Sequence, residues 1–240
     1  MNKTFVAGLL TLGLAFPAAA DDAAKKLWAG TLGLSLLATT GNSDTRSFGL
    51  EFGLKRVPDP WGLDVTAKYL QSAKNGVTDA ERTLASVRGT RALSDRWSVF
   101  IGVGGERDTF AGFDLRGILE GGATYKVLTG PVHEVALDGG LTWTKEDPVS
   151  GANRSFVGGI LGAAYLWRLS KTSAFTEKLR WYPDFDETSD WRATSETALK
   201  ASLTDVLALK AAYEVRYSNR PVPGFHKTDT ASTVSLVASL

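Results

Sequence analysis

Apolar and polar residues alternate with a period of two along most of this 240-residue chain. In the segment Ser47–Lys55 the apolar side chains Phe48, Leu50, Phe52 and Leu54 fall on one face, and small or charged side chains fall on the other. Seven further segments repeat the pattern: Trp61–Leu70, Trp97–Glu106, Asp114–Val127, Glu134–Thr144, Trp191–Leu203, Val206–Tyr217 and Thr228–Leu240. Successive side chains point to opposite faces in an extended strand, and helical periodicity is absent. The sequence therefore predicts an all-β fold.

Turn-forming residues interrupt these segments at regular intervals, for example at Ser94-Asp95-Arg96 and Thr129-Gly130-Pro131. Eleven such turns separate twelve predicted strands. An even number of strands puts both termini on the same side of a membrane barrel. With the termini in the periplasm, the turns after odd-numbered strands are extracellular, and they tend to be the longer ones. We predict an antiparallel up-and-down transmembrane β-barrel of about 12 strands.

The first twenty residues have the three parts of a secretory signal. Lys3 supplies the positive charge, Phe5–Phe16 the apolar stretch, and Pro17-Ala18-Ala19-Ala20 a small-residue cleavage site before Asp21. The apolar stretch is too short for a membrane-spanning helix, which needs about 20 residues. We predict a signal peptide over residues 1–20, cleaved after about Ala20, then a short segment over 21–26 and the barrel over 27–240.

Composition excludes several classes of protein. Lys3 is the one charged residue of the leader, so the mature chain balances 26 basic side chains with 26 acidic ones. That balance, without a clustered positive face, argues against a nucleic-acid partner. The chain has no cysteine, which excludes a disulfide framework and a thiolate metal site. Beyond residue 20 no apolar run is long enough for a spanning helix.

The seven tryptophans fall near the ends of the predicted strands. Indole combines an apolar body with one hydrogen-bond donor, and it favours the headgroup level of a bilayer. The sequence predicts two girdles of membrane-interface aromatics. The periplasmic girdle is Trp28, Trp61, Trp97 and Trp167, and the extracellular girdle is Trp143, Trp181 and Trp191.

Charged residues lie on the face opposite the apolar one. Exposing a Lys or Arg to lipid at mid-depth costs about 2–4 kcal/mol, a cost that a wet lumen avoids. A soluble barrel would instead keep its apolar face inside. We predict that the following residues line the lumen: Glu51, Lys55, Asp64, Lys68, Glu106, Arg116, Glu120, Asp138, Lys178, Arg180, Arg192, Glu196, Lys200, Lys210, Glu214, Arg216 and Asp229.

Two segments fit the alternation poorly. Thr83–Leu93 can be placed in either phase, because both phases turn an arginine outward. Glu177 shares a face with the apolar residues Phe175, Leu179 and Trp181. Either Glu177 lies near the periplasmic rim, or a bulge shifts the register there.

The hairpin from Glu106 to Arg116 has two interpretations. If Asp108 opposes Asp114 across the ladder, Glu106 opposes Arg116 at about 5 Å between Cβ atoms, and the two can form a salt bridge beside an aspartate-capped turn. Alternatively, Asp108 and Asp114 are weak candidates for ligands of a divalent cation, since two adjacent carboxylates repel unless they are neutralised. The first interpretation is preferred, because no further ligand is identifiable.

Several segments resemble the domain-of-unknown-function family 481, whose members are labelled salt-induced outer membrane proteins. They are Thr39-Thr40-Gly41-Asn42-Ser43-Asp44-Thr45, Leu93-Ser94-Asp95-Arg96-Trp97, Glu106–Arg116 and Thr228-Asp229-Thr230. The resemblance spans nearly the whole mature chain and is most specific over Glu106–Arg116. It implies a barrel in the outer membrane of a Gram-negative bacterium, and it implies no reaction. The family label suggests a role in envelope or osmotic stress.

One feature departs from the pattern of such barrels. The last residue is Leu240, where barrel-assembly signals typically end in an aromatic residue. The outward alternation nevertheless continues to the end of the chain. The expected partners are outer-membrane lipid and the barrel-assembly machinery during biogenesis, and the sequence identifies no other protein partner.

Function is less constrained than fold. The inward charges of both signs either form a structural network that fills the lumen or line a narrow path for polar solutes. Mixed signs argue against strong ion selectivity. Inward glycines leave space and favour a wet interior; they are Gly49, Gly53, Gly62, Gly102, Gly104, Gly122, Gly140 and Gly158.

A catalytic role has little support in the sequence. His133 falls in a predicted periplasmic turn, and His226 falls in the last extracellular loop, with no nucleophile adjacent in sequence. No glycine-rich phosphate loop or metal-ligand spacing is present. We predict a non-enzymatic protein without catalytic residues or cofactors. The alternatives are a lipid-modifying enzyme on a barrel scaffold and a soluble periplasmic ligand-binding β-barrel.

Overall fold

The computed structural model describes residues 27–39 and 45–239. The predicted signal peptide, the segment 21–26, most of the first turn and Leu240 lie outside the described residues. Twelve strands are present, numbered β1 to β12 in chain order. They are Trp28–Thr39, Thr45–Arg56, Trp61–Lys74, Val77–Ala92, Trp97–Asp108, Phe113–Thr129, His133–Pro148, Arg154–Arg168, Ser173–Pro183, Trp191–Ser202, Leu207–Ser218 and Thr228–Ser239.

The strands form a closed barrel. Each strand pairs antiparallel with its neighbours in sequence, and β1 pairs with β12 to close the ring. The predicted twelve-stranded up-and-down barrel is confirmed. The described residues hold no helix long and apolar enough to cross a membrane.

We call the end that carries the connections after odd-numbered strands the extracellular end, and the other the periplasmic end, following the orientation predicted from the sequence. The longest described connections, residues 184–190 and 219–227, both lie at the extracellular end. The β3–β4 turn at that end is short. Asn75 and Gly76 both have positive φ (52° and 79°), the conformation of a two-residue hairpin turn whose twist matches the flanking strands.

The barrel is apolar outside and polar inside. Large apolar side chains such as Ile101 and Leu141 are more than 60% exposed on the outer face. Thr144, Glu120 and Glu146, in contrast, are buried on the inner face. This distribution is the reverse of that in a soluble barrel, whose interior is the apolar face. It is the arrangement of a barrel that crosses a membrane, in which lipid covers the apolar band.

The tryptophans lie on the strands as follows. Trp28, Trp61 and Trp97 begin β1, β3 and β5 at the periplasmic end, and Trp167 lies one residue before the end of β8. Trp181 and Trp191 flank the β9–β10 connection at the extracellular end. Trp143 lies five residues below the end of β7, because β7 continues to Pro148, beyond the predicted limit at Thr144.

The two segments that the sequence left open are ordered as follows. In the β3–β4 ladder Arg88 lies opposite Asp64, and its side chain turns inward to the carboxylate of Asp138. The side chain of Arg91 turns outward, with its guanidinium 5.2 Å from the centroid of the Trp61 ring. On β9, Glu177 faces outward in a ladder without register shifts, so no bulge explains it. The hydroxyl of Ser195 donates a hydrogen bond of 2.7 Å to its carboxylate.

Candidate functional site: the ion-paired lumen

Ion pairs cross the lumen from one wall to the other. Arg216 on β11 lies 3.1 Å from the carboxylate of Glu106 on β5. In a ring of twelve strands, β5 and β11 are six positions apart and therefore face each other across the full width of the barrel. The lumen is thus spanned by side chains near the height of these two residues.

A second set of pairs supports the first. Arg82 on β4 lies 2.6 Å from Glu214 on β11 and 3.5 Å from Glu106. Below them, Lys68 on β3 lies 2.5 Å from Glu196 on β10. The Arg82–Glu214 and Lys68–Glu196 pairs join strands that are five positions apart in the ring. Opposite walls are therefore connected at more than one level.

A cluster of arginines surrounds one buried carboxylate near the extracellular end. Glu146 on β7 forms ion pairs with Arg116 at 2.8 Å, Arg192 at 3.0 Å and Arg154 at 3.5 Å. Arg154 also pairs with Asp184, so the cluster is tied to the β9–β10 connection. Removing the carboxylate would leave three cations close together without their shared partner, and only Arg154 would keep other carboxylates, those of Asp184 and Asp190.

Aromatic rings pack against these arginines. The guanidinium of Arg88 lies 3.5 Å from the ring centroid of Phe100, and that of Arg116 lies 3.5 Å from Phe113. A cation above the face of a ring is attracted by its quadrupole. The rings are buried on the inner face, together with Phe156 and the fully buried Ile160. We call the inward faces of β5–β8, with these rings and the Glu146 cluster, the packed half.

Phe100 fits because its neighbour on β6 has no side chain. A Cβ added to Gly122 would lie 2.9 Å from the Phe100 ring and 2.2 Å from the carbonyl oxygen of Gly139. Real Cβ atoms do not approach other atoms so closely. Glycine at this position therefore admits both the ring and the neighbouring strand.

The other half of the lumen holds a cavity of about 340 Å³ in its extracellular part. We call this cavity the chamber. Small side chains on β1, β2 and β12 leave the space, among them Gly33, Ser35, Gly49, Ala231 and Thr233. The charged residues that line the chamber are Glu51, Lys68, Asp79, Glu81, Arg82, Asp108, Glu196, Lys210, Glu214, Arg216 and Asp229.

Loops meet over the extracellular mouth. Gly112 in the β5–β6 turn lies so close to the β11–β12 connection that an added Cβ would be 2.9 Å from Val222 and 3.0 Å from Phe225. These two connections belong to opposite sides of the ring. The side-chain amide of Asn219 donates a 2.8 Å hydrogen bond to the carbonyl of Ser189. This bond joins the β9–β10 connection to the β11–β12 connection. Three connections thus cover part of the mouth above the chamber.

Two carboxylates of the β9–β10 connection have shifted pKa values. Hydrogen bonds from Ser189 and Arg220, together with the Arg220 charge, lower the pKa of Glu187. Burial raises the pKa of Asp190, although Arg154 lies 2.9 Å from its carboxylate and opposes the shift. Glu187 is thus stabilised as a carboxylate at the exposed tip of the connection, whereas Asp190 is buried at its base.

The Glu106–Arg116 hairpin differs from the expectation in its partners. The ladder pairs Glu106 with Arg116, but Arg116 binds Glu146 while Glu106 binds Arg82 and Arg216. The structure therefore replaces the expected local salt bridge by longer-range ones. Cross-strand adjacency did not decide the pairing, because all these side chains share the same narrow lumen.

Asp108 and Asp114 do not come together. A register irregularity after Glu106 pairs Asp108 with Phe113 and leaves Asp114 exposed. The buried carboxylate of Asp108 accepts the backbone N–H of Ala111 at 2.9 Å and pairs with Arg216 at 2.8 Å. The aspartate-capped turn is thus present. Within residues 27–39 and 45–239, no group of three or more potential ligand side chains could hold a metal ion.

Several predicted lumen residues are not part of this network. In the part of the chain that the structure describes, Lys55, Lys178 and Lys200 form no ion pair within 4.0 Å. Asp64 accepts a hydrogen bond from Thr66, and Arg180 donates one to the hydroxyl of Tyr182, both at 3.3 Å. The other predicted lumen residues that form ion pairs are Glu120 and Asp138 with Arg88, Lys210 with Glu51 and Glu196, and Asp229 with Arg216.

Sequence reasoning missed several members of the network, among them Arg82, Arg88, Glu146 and Arg154. The ambiguous phase of Thr83–Leu93 hid Arg88, and Arg82 lies directly before that segment. Glu146 and Arg154 lie beyond the predicted end of β7 and at the start of β8, where charges are usually assigned to a loop. Continuing the alternation past Thr144 would have turned Glu146 inward.

The histidines are not arranged for catalysis. His133 is the first residue of β7 instead of part of a turn, and its Nδ1 lies 2.9 Å from the hydroxyl of Tyr165. Its ring also lies 5.7 Å from that of Trp167, so it belongs to an aromatic cluster at the periplasmic end. His226 lies in the β11–β12 connection at the opposite end of the barrel.

Fold and lumen together define a transmembrane β-barrel of the outer-membrane type. The family model described as "Protein of unknown function, DUF481" matches residues 32–240, and the chain belongs to this family. The resemblance noted in the sequence is thereby confirmed. A relative from Escherichia coli (strain K12), "Uncharacterized protein YdiY", is 25% identical over 234 residues, which cover 93% of this chain and 91% of the relative.

Solved structures share the fold. The COG4313 outer membrane channel from Pseudomonas putida F1 has a TM-score of 0.50 and 12% identity, and the match covers 89% of this chain and 94% of the channel. The NanC porin has a TM-score of 0.47 and 11% identity, with 88% of this chain and 97% of the porin covered. At 12% identity the likeness to the channel extends to the barrel architecture and no further.

Proposed function

We propose that this protein is a non-enzymatic outer-membrane barrel whose lumen is closed to free diffusion by its own ion pairs. The observation behind the proposal is the bridge between diametrically opposite strands formed by Arg216 and Glu106. A general porin keeps an aqueous channel along its axis. Here the charged side chains that could line such a channel bind one another across it.

The proposal places the mature chain in the outer membrane of a Gram-negative bacterium after removal of residues 1–20. The apolar outer face supports this location, because outward residues such as Ile101 and Leu141 need hydrocarbon contact. Outer-membrane lipid and the barrel-assembly machinery are the proposed partners. A soluble barrel would have to expose the same apolar band to water. A role in osmotic stress stays a prediction from the family resemblance.

A non-enzymatic role is supported by the separation of the two histidines. His133 packs among aromatic rings at one end, and His226 lies in a connection at the other. A nucleophile activated by a general base needs the two groups within about 3.2 Å of each other. The alternative of a lipid-modifying enzyme would require such a pair at His226. Unchanged lipids in a His226→Ala strain would exclude it.

Planar-bilayer conductance tests the closed lumen. Wild-type protein should give no steady current, or a small one. The double variant Arg82→Ala/Arg216→Ala removes both cations that bridge to Glu106 and should increase conductance severalfold. The control is Arg168→Ala, which breaks an exposed Arg–Glu pair at the periplasmic rim and should leave the current unchanged. A large wild-type current that the double variant does not alter would contradict the proposal.

A narrow pore is the second candidate. Three inward lysines favour it: Lys55, Lys178 and Lys200 form no ion pair within 4.0 Å in the described part of the chain, and Lys178 is exposed to the lumen. Such a set would attract anions at the periplasmic side. If wild-type protein conducts, a reversal potential shifted towards anions, and abolished in Lys178→Gln, would support this function.

A further inference from the structure

The ladder that closes the barrel stops halfway along its strands. β1 and β12 pair through four positions, from Thr31 with Ser239 to Leu34 with Leu236. Both strands continue beyond this point towards the extracellular end, β1 to Thr39 and β12 back to Thr228. Each remains paired with its other neighbour there, β1 with β2 and β12 with β11. The β4–β5 and β8–β9 ladders also stop short of the end of one strand, but there the partner strand ends within two residues, whereas at this seam both strands continue.

The unpaired length is considerable. The five β1 residues from Ser35 to Thr39 have no partner on β12 in the described structure. At about 3.4 Å per residue, they leave some 17 Å of strand edge unpaired. Unpaired backbone N–H and C=O groups are tolerated at membrane depth only where they are buried in protein or line a water-filled cavity. A cavity directly behind the open part of the seam would meet this condition.

The chamber lies in that position. Gly33 and Ser35 of β1 and Thr233 and Ser235 of β12 face it from the two edges of the seam. Their side chains are small and leave the way from the seam to the chamber clear. Above the chamber, Phe110 and Ala111 of the β5–β6 turn form part of its roof. The chamber thus adjoins the open seam on one side and is partly covered on its extracellular side.

The two sides of the seam suit different parts of an amphiphile. On the outer side, Leu36 and Val234 are 71% and 61% exposed and offer apolar contact. On the inner side, the hydroxyls of Ser35 and Thr233 and the charged groups of the chamber offer hydrogen bonds. A molecule with an apolar chain and a polar head could occupy both sides at once.

The charge of the chamber limits the kind of head group. Seven carboxylates line it, those of Glu51, Asp79, Glu81, Asp108, Glu196, Glu214 and Asp229, against four cations. The four cations are already paired with carboxylates, for example Lys210 with Glu51 at 3.0 Å. The remaining excess of carboxylates would repel an anionic head group. The volume of about 340 Å³ is near the lower limit for small-molecule sites, enough for one head group.

We propose that the open half of the β1–β12 seam is a lateral portal, through which a membrane lipid with a zwitterionic or uncharged polar head places that head in the chamber while its acyl chain stays in the bilayer. The proposal rests on the proposed location in the outer membrane. It assigns the chamber a ligand that enters from the bilayer and not from the aqueous mouth.

Paired cysteines test whether the seam is open. The chain has no cysteine, so introduced thiols have no competitors. Leu36→Cys/Val234→Cys places thiols at positions that would face each other if the ladder continued. Leu32→Cys/Ala238→Cys is the matched control within the paired part of the same seam. A disulfide needs Cα atoms within about 7 Å, a condition met by opposed residues of a ladder.

The control pair should oxidise readily in the membrane, whereas the Leu36→Cys/Val234→Cys pair should remain reduced and react at least tenfold more with a maleimide. Equal oxidation of the two pairs would show a fully closed seam and overturn the proposal. Heat-modifiable migration of both variants on gels, measured in parallel, reports separately whether the barrel is folded in the membrane. Its absence would count against the proposed function instead.

Photolabelling tests the ligand. The probes are a zwitterionic lysophosphatidylethanolamine and an anionic fatty acid that carry the same diazirine-labelled chain. The zwitterionic probe should label chamber-facing residues near Ser35 and Thr233, severalfold more than the anionic probe does. Label confined to outward residues, or stronger labelling by the anionic probe, would overturn the assignment. A cross-link from a single Leu36→Cys thiol to another polypeptide would indicate that a protein strand, and not a lipid, fills the seam.

Discussion

The packed half and the chamber half are built on the same strand pattern but are filled differently. In the packed half, Phe100, Phe113 and Phe156 turn inward and stack against arginines, and Ile160 is almost completely buried. In the chamber half, the corresponding inward positions carry residues such as Gly33 and Ala231. Alternation alone therefore decides which residues face inward. The size of those residues decides whether the lumen is a core or a cavity.

The largest loss of stability, which lies in the packed half, should follow removal of the Glu146 carboxylate. Glu146→Ala leaves Arg116, Arg154 and Arg192 without their shared partner in a buried site. Breaking a buried pair in this way costs about 3–5 kcal/mol. The free energy of unfolding in detergent, measured by urea titration, should fall by this amount. Glu134→Ala breaks an exposed pair and should cost at most about 1 kcal/mol. Equal losses would show that the cluster is not a structural centre.

Changes in side-chain volume should separate the halves next. Ile160→Ala opens a cavity among buried side chains and should cost about 3 kcal/mol. Ala231→Leu adds volume where the chamber has room and should cost less than about 1 kcal/mol. Urea titration of both variants checks the contrast. If the Ala231 variant proved the less stable of the two, the chamber would have to be filled in the folded protein.

The contact between the halves over the mouth can be tested at two glycines. Gly112 and Gly151 both have positive φ, 93° and 102°, but Gly151 has open space where a Cβ would lie. Gly151→Ala should therefore cost only the backbone strain, about 1 kcal/mol, while Gly112→Ala adds a clash with Val222 and should cost about 2–3 kcal/mol. Protease nicking of the β11–β12 connection should increase in the Gly112 variant alone. Equal nicking in the two variants would argue against a closed mouth.

The smallest effect is expected from acid at the β9–β10 connection. The pKa of Glu187 is lowered from its usual value of 4.5, so its contribution to stability is present above pH 4.5 and is lost as the pH falls through the lowered pKa. Below that pH the pair with Arg220, 2.8 Å apart, should separate. Proteolysis of the connection at pH 3 and pH 6 measures the change. Glu187→Gln should show no such pH step, and a step in that variant would assign the effect to another group.

The strands themselves were accessible from the sequence because alternation is a local property. The face of the strand on which a residue lies follows from the residues next to it in sequence. For this reason β2, β3 and β5 were predicted to within a few residues at their ends. Where local rules conflict, as in Thr83–Leu93, the phase remained open. It is decided in the structure by partners on other strands, such as Asp138 for Arg88 and the Trp61 ring for Arg91.

The lumen network was accessible only in part. The sequence identifies most inward charges, yet it contains no distances across the barrel. Whether Glu106 binds Arg116 beside it or Arg216 on the opposite wall depends on the width of the lumen and on the irregularity before Asp108. The half-open seam was also out of reach, because the pairing of β1 with β12 joins the two most distant parts of the chain.

The stacked arginine and tryptophan side chains at the periplasmic rim have a consequence for how the barrel responds to its bilayer. The guanidinium of Arg56 lies 6.0 Å from the centroid of the Trp28 ring and donates a hydrogen bond to the backbone carbonyl of Trp61. The guanidinium of Arg91 lies over the Trp61 ring. Each guanidinium can reach lipid phosphates while its indole stays at the hydrocarbon boundary. The periplasmic ends of β1 to β4 are thus held at a fixed depth in the bilayer. A thicker or thinner membrane must be accommodated at the extracellular ends of these strands, where the hydrophobic mismatch would be concentrated.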